Sequence, residues 1–326
     1  MKPFFTLDEL EAATTIVRSF VPHTPAYAWP LLCNRLGVEV IVKHENHTPT
    51  GSFKARGGLV YVNALRCRGG LPQGLVTATR GNHGQSVAVA AARNGLRCIV
   101  VVPEGNSVEK NAAMKAFGAE LIVAGKDFDE SRAFAASIER ERGHHLIPSF
   151  HREIVKGVAT YAHELFASWS DLNVVYVPIG VGSGICGLIT VRDLLQLKTE
   201  IVGVVAANAP AFALSFEAGR LIPTASARTF ADGIACRDPQ EEPFEIIKNG
   251  VARIIRVSDN EIAEAIRVIY TDTHNIAEGA GAAPLAALIK ERAQHAGKRV
   301  AIIQCGGNVD MSVFLQILGG QTPQPQ

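Results

Sequence analysis

Two features of the sequence predict an α/β fold. Short apolar runs rich in Val and Ile recur along the chain, and Gly-rich turns with Ala-rich, helix-forming stretches separate them. This alternation is expected of parallel sheets covered by helices. At 326 residues the chain is long enough for about two domains at ~150 residues each. A composition 47% hydrophobic and 19% charged supplies a buried core and leaves little for disordered tails.

In chain order, the runs at 40–43, 75–78, 98–102, 121–123, 174–177, 201–205 and 300–303 read as buried strands. Helices are expected to begin near Thr6, Ser86, Glu109, Val155 and Ser258. Thr6 can cap the first of these, and Ser258 with Glu261 forms a capping box for the last. No internal repeat or low-complexity segment interrupts the series, and only 321–326 reads as a loose tail.

Composition also excludes functions. Lys and Arg number 32 against 31 Asp and Glu, a balance that argues against a basic nucleic-acid partner. No apolar run approaches the ~20 residues that a bilayer span requires. The start, Met1-Lys2-Pro3-Phe4-Phe5, runs straight into Asp8 and Glu9 without the apolar core of a signal peptide, so a cytoplasmic location is expected. Six cysteines are scattered with no Cys-x-x-Cys pair, which suggests neither a disulfide framework nor a zinc clamp. Most of them read as small core residues, and Cys305 stands apart.

Four motifs could carry chemistry. Thr50-Gly51-Ser52-Phe53-Lys54-Ala55-Arg56-Gly57-Gly58 places a lysine just beyond a Gly-Ser turn, where it can approach a ligand and lose its proton when desolvated. Alone, such a lysine is more often a solvated surface residue. Thr79-Arg80-Gly81-Asn82-His83-Gly84 follows a strand and precedes a helix, so its backbone N–H groups can form a nest for a carboxylate. The alternative is an ordinary turn with Asn82 as cap and His83 as a structural residue. Gly180-Val181-Gly182-Ser183-Gly184, again between strand and helix, suits a phosphate. A dinucleotide fold could use a similar loop, but Glu200 precedes its strand where a ribose-binding carboxylate should end it. Cys305-Gly306-Gly307-Asn308 ends the last strand, where a thiol can face a ring nitrogen or simply be buried.

Taken together, in this order and spacing, the motifs resemble the fold-type II pyridoxal 5'-phosphate (PLP) enzymes, in particular the serine/threonine dehydratase and serine racemase family. The resemblance covers about 20–310, and Gly-Ser-Phe-Lys-x-Arg-Gly with Gly-Asn-His-Gly-Gln is its most specific part. It implies a tryptophan synthase β-like architecture of two open, twisted, mostly parallel sheets flanked by helices. It further implies a large PLP-binding domain of 1–74 and 149–326 and a small mobile domain of 75–148. By the same resemblance Lys54 would bind PLP as a Schiff base and then act as the base at the substrate's Cα. Phe53 would pack beside the ring, and Asn82 would meet its 3-hydroxyl. Gly180, Val181, Gly182, Ser183 and Gly184 would hold the phosphate, and Cys305 would face the pyridine nitrogen. Thr79, Arg80, Gly81, Asn82 and His83 would bind the substrate. A neutral thiol at Cys305 favours β-elimination, so the implied activity is a lyase of amino acid catabolism that releases ammonia and a 2-oxo acid from a β-hydroxy amino acid. A homodimer is a family expectation.

Three departures from the family bear on substrate and reaction. Arg80 stands where a racemase uses a serine hydroxyl as its second acid/base, which a permanently protonated guanidinium does not replace. Its alternative role is to turn outward to a carboxylate. The segment 207–214 lacks the acidic side chains of the family's divalent-cation site, so no metal is expected. Gly157-Val158-Ala159-Thr160 replaces the family's Gly-Gln-Gly-Thr helix start, and a changed lining there would admit a bulkier or acidic substrate. The competing readings are a racemase, a β-replacement synthase, an idle PLP-fold binding protein and an NAD-dependent oxidoreductase.

Overall fold

The computed structural model describes residues 3–325. Met1 and Lys2, part of the N-terminal reading, and Gln326 of the expected tail lie outside the described residues. Among the described residues ten strands form two sheets: β1 (Ala26–Ala28), β2 (Glu39–His44), β3 (Gly74–Ala78), β4 (Arg97–Val102), β5 (Glu120–Val123), β6 (His145–Leu146), β7 (Val174–Pro178), β8 (Glu200–Ala206), β9 (Arg253–Val257) and β10 (Arg299–Gln304). One sheet has the order β1-β2-β10-β7-β8-β9 and the other β5-β4-β3-β6. Every pairing is parallel except β1 with β2. The fold is therefore α/β with two open, mostly parallel sheets between helices, as expected.

All seven expected strands form, and their Val- and Ile-rich runs are buried on both faces in every one but β5, which lies at a sheet edge and is only partly covered. The three that sequence reading missed have local reasons. β1 and β6 contain only three and two residues. β9 lies at a sheet edge, and Arg253 and Arg256 break its apolar run. Those arginines turn to Glu200, Glu291 and Glu217 along the edge.

The capping boxes at Thr6/Glu9 and Ser258/Glu261 are both formed. The helix expected from Ser86 begins instead at Asn82, since the Gly-rich turn is itself the first helical turn. The helices expected from Glu109 and Val155 begin at Val108 and Arg152. Cys98, Cys186 and Cys305 are buried and Cys33 and Cys236 partly so, but Cys67 is exposed, because it falls on the outer face near the end of its helix.

Topology places the motifs. The last strand, β10, inserts between β2 and β7, so the C-terminal ends of three parallel neighbours lie in a row. The segment after β2 carries Lys54, the one after β10 carries Cys305, and the one after β7 carries the Gly180–Gly184 loop. Open parallel sheets bind ligands at such a switch point.

Candidate active site

Lys54 opens the helix Lys54–Gly69, and the turn before it is fastened to the end of β10. The Phe53 N–H donates to the Cys305 carbonyl at 3.0 Å, and the Gly307 N–H donates to the Gly51 carbonyl at 2.9 Å. Behind it, Ser86 Oγ donates to the Lys54 carbonyl at 2.6 Å and accepts from the Gly58 N–H at 3.1 Å. The chain is thus held on either side of the lysine side chain. Its Nζ lies 3.1 Å from Ser183 Oγ and 4.8 Å from the centroid of the Phe53 ring. Burial lowers the Lys54 pKa to about 8, against the opposing influence of Cys305 and Glu278.

The loop under that amine is built for an anion. In the helix Ser183–Leu194 the first intrahelical bond runs from Cys186 N to Gly182 O, so the N–H groups of Ser183, Gly184 and Ile185 have no backbone partner. The helix has no side-chain cap of its own. Tyr161, buried beneath, donates from its hydroxyl to the Gly184 carbonyl at 2.9 Å and sets its ring edge-on to Phe53 at 6.2 Å. A Cβ on Gly180 would stand 2.3 Å from the Gly233 carbonyl oxygen. Gly180→Ala is therefore expected to push the loop off its backbone neighbour and weaken phosphate retention by at least about tenfold, measured as loss of bound cofactor on dialysis.

The second nest forms at the helix Asn82–Arg93. Thr79 Oγ1 accepts from the N–H groups of Gly81 at 2.9 Å and Gly84 at 3.3 Å, which folds the loop into its turn. The N–H groups of Asn82 and His83 have no partner among the described residues and make a seat for a carboxylate. Thr79 shapes this seat, with its oxygen already engaged. His83 is buried with Nε2 unpartnered, and burial together with the Lys54 cation lowers its pKa to about 3. It is a neutral imidazole at physiological pH.

Asn82 has two partners. Its Nδ2 donates to Glu278 at 2.8 and 3.1 Å, and its Oδ1 accepts from Asn308 Nδ2 at 2.8 Å. Sequence reading missed Glu278, which is buried at the start of the helix Gly279–Glu291 with burial raising its pKa. It also missed Asn308 as a bracket, although Asn308 Nδ2 donates to the Thr50 carbonyl at 2.8 Å as well. Cys305 is buried at the end of β10, and burial, then the Glu278 carboxylate, raises its pKa well above the usual thiol range. It is a neutral thiol.

Arg80 is half-buried and makes no hydrogen bond or ion pair among the described residues, so neither of its two expected roles is selected by a contact. Val158 and Ala159, expected to line the cleft, are fully buried. Ala159 packs against Gly187, and Gly157 lies against the Arg56 carbonyl, so this segment is helix-packing surface. Among the described residues no group of three or more His, Cys, Asp or Glu is arranged to hold a metal. No described helix is long and apolar enough to cross a membrane.

These residues fit PLP: an amine of lowered basicity, unpartnered N–H groups at one helix start for a phosphate, and a neutral thiol at the neighbouring strand end. The family model described as Pyridoxal-phosphate dependent enzyme matches residues 17–306, and the chain belongs to that family. Its cofactor is pyridoxal phosphate.

Within the family, similarity is shared with named relatives. The chain is 35% identical over 281 residues to an L-threonine ammonia-lyase of Geobacter sulfurreducens, spanning 86% of this chain and 70% of that one. A solved threonine deaminase from T.th. superposes with a TM-score of 0.88 at 33% identity, covering 94% of this chain and 99% of the other. A solved pyridoxal 5'-phosphate-dependent aspartate racemase gives a TM-score of 0.88 at 28% identity, covering 94% and 97%.

Proposed function

We propose that this chain is an ammonia-lyase, a dehydratase that converts a β-hydroxy amino acid of the serine/threonine type into a 2-oxo acid and ammonia by α,β-elimination. The observation that carries the reading is the Lys54 amine, 3.1 Å from Ser183 Oγ and with its pKa lowered to about 8. The relatives named threonine ammonia-lyase and threonine deaminase support the same reaction.

When bound, PLP supplies an electron sink that makes the substrate's Cα proton removable. Phe53, Lys54, Asn82, Cys305 and the loop of Gly180, Val181, Gly182, Ser183 and Gly184 would hold it. Lys54 Nζ is the base at Cα, because a desolvated amine that is partly neutral near pH 8 both accepts and returns a proton. The N–H groups of Asn82 and His83 receive the α-carboxylate and so orient Cα–H toward that amine. Cys305, kept neutral by burial, would face the pyridine nitrogen as a weak donor that leaves it unprotonated, a setting suited to elimination. Residues 75–148 act as the small domain that closes on the large one, excluding water from the cleft. The same reading takes the protein to be a cytoplasmic homodimer.

Racemisation is the second reading, favoured by the similarity to the aspartate racemase. It needs a second acid/base opposite Lys54, and the motif position that carries a serine in a racemase is here Arg80, a guanidinium. A panel of β-hydroxy amino acids, scored for ammonia and 2-oxo acid release and for inversion of the α-carbon, decides between them. Release without inversion is expected; inversion without release contradicts the proposal. In the same panel, Arg80→Ala is expected to raise KM for an acidic or bulky substrate about tenfold or more, the worth of one charge-assisted hydrogen bond, with a smaller effect on serine. Equal effects on both substrates would give Arg80 a structural role.

A further inference from the structure

Residues 75–148 meet the rest of the chain through two kinds of contact. One is an apolar seam in which Ala55, Leu59, Val60 and Val89 pack together behind Lys54. The other is polar: beside the bonds of Ser86 and Asn82 described above and the pairs His145 with Tyr61, Arg93 with Ser19 and Asp129 with Arg237, it includes a run of four consecutive residues. Ser107 Oγ donates to Asp310 Oδ1 at 2.5 Å, and the Val108 N–H donates to Asp310 Oδ2 at 3.2 Å. Glu109 Oε1 accepts from the Met311 N–H at 2.8 Å. Lys110 Nζ donates to Asp232 Oδ2 at 2.6 Å and stands 3.6 Å from Glu278 Oε2.

The starts of two helices are thereby cross-linked. Asp310 is the N-cap residue of the helix Met311–Leu318 yet makes no capping bond to it. Its carboxylate instead joins the start of the helix Val108–Ala116, whose own N-cap Ser107 accepts from the Lys110 N–H at 3.1 Å. Glu109, in the first turn of that helix, returns a carboxylate to the first N–H of Met311–Leu318. Two helix N-termini carry like partial charges and would repel at close range. Each acid neutralises the other helix's end, so the pairing holds only while the two units are together.

Both ends of this contact lead to Asn82. Lys110 approaches Glu278, which accepts from Asn82 Nδ2 at 2.8 Å. Asn308, two residues before Asp310, donates to Asn82 Oδ1 at 2.8 Å. A Cβ on Gly81, the residue before Asn82, would lie 2.4 Å from Lys110 Cδ, so the lysine stem also backs the carboxylate seat. Val108 and Glu109 are exposed, and their bonds can be exchanged for bonds to water at small net cost, whereas the apolar seam cannot.

We propose that the crossed contacts of Ser107, Val108 and Glu109 with Asp310 and Met311, continued by Lys110, form the latch that holds the cleft closed and fixes Asn82 in it. Asp310 and Lys110 are then positioning residues. This inference rests on the proposed function for its kinetic consequence only, since the latch itself is a property of the fold.

The test is hydrogen–deuterium exchange and steady-state kinetics on the holoenzyme of the wild type, Asp310→Ala, Asp310→Asn and Glu109→Gln. In Asp310→Ala, amides of 104–116 are expected to lose protection by about tenfold, and KM to rise roughly five- to tenfold with kcat within about twofold, because fewer molecules are closed at any moment. Asp310→Asn keeps one acceptor oxygen and should fall between, and Glu109→Gln should loosen 311–318 across the cleft. Cofactor absorbance should be unchanged in all three. A purely local capping role predicts loss of protection in 311–318 alone for Asp310→Ala, with 104–116 and KM unaltered, and that result would overturn the latch. If the wild type shows no cofactor absorbance or no turnover, the proposed function fails, and the exchange pattern of 104–116 still decides the latch by the same criterion.

Discussion

Lys54→Ala is expected to leave the protein folded and to lower turnover by about a thousandfold or more, the upper part of what one positioned base contributes. Folding survives because the backbone of residue 54 is held by groups that the substitution keeps, notably Ser86 Oγ at 2.6 Å from its carbonyl. Turnover does not, because Lys110, the other described lysine beside the carboxylate seat, is buried and engaged with Asp232 at 2.6 Å. Burial works to lower the Lys110 pKa, but Asp232 and Glu278 outweigh it and keep the group charged. The cofactor should also be lost from the variant on gel filtration, since its covalent anchor is gone. A variant that keeps a tenth of wild-type activity would remove Lys54 from the mechanism.

Arg56→Met is expected to cost about 3–5 kcal/mol of folding stability, because it breaks a buried charge network while leaving the opposite charges in place. Arg56 is wholly buried two residues after Lys54. Its Nε and Nη2 donate to Glu45 at 2.8 and 3.0 Å, and its Nη1 and Nη2 each donate to Glu164 at 3.0 Å. Lys43, equally buried, donates to Glu164 at 2.7 Å. Two buried cations thus face two buried carboxylates. Burial pushes the Glu164 pKa up, but Arg56 and Lys43 outweigh it and hold it at about 2. With Arg56 removed, Lys43 and the half-exposed Arg18, 3.6 Å from Glu164, are left to face the two acids. Arg56→Lys keeps the charge without the forked geometry and should recover only part of the loss. Denaturant midpoints measure both, and a change below about 1 kcal/mol for Arg56→Met would show the network to be dispensable.

The sequence made the skeleton readable because its signals are local. Unbroken runs such as Cys98-Ile99-Val100-Val101-Val102 become buried strands, and Ser258 with Glu261 forms its capping box within four consecutive residues. The motif loops were readable for the same reason: each lies between a strand and a helix on one stretch of chain. What could not be read depends on pairs far apart. Asn82 meets Glu278 across 196 residues, and Ser107 meets Asp310 across 203. Nothing near Glu278 in the sequence marks it as the partner of an asparagine amide. Tyr161 beneath the phosphate loop is likewise found only once the helices pack. The reverse error came from the segment at Gly157, where a motif position implied a cleft lining and the packing instead buries Val158 and Ala159 in the core.

The most direct test of the central claim is borohydride reduction of the protein purified with PLP, followed by peptide mapping. The reduced pyridoxyl group is expected on the peptide that contains Lys54, in one equivalent per chain, with Ser183→Ala lowering its yield. Label on any other lysine, or none, would contradict the assignment of Lys54 as the amine that carries the chemistry.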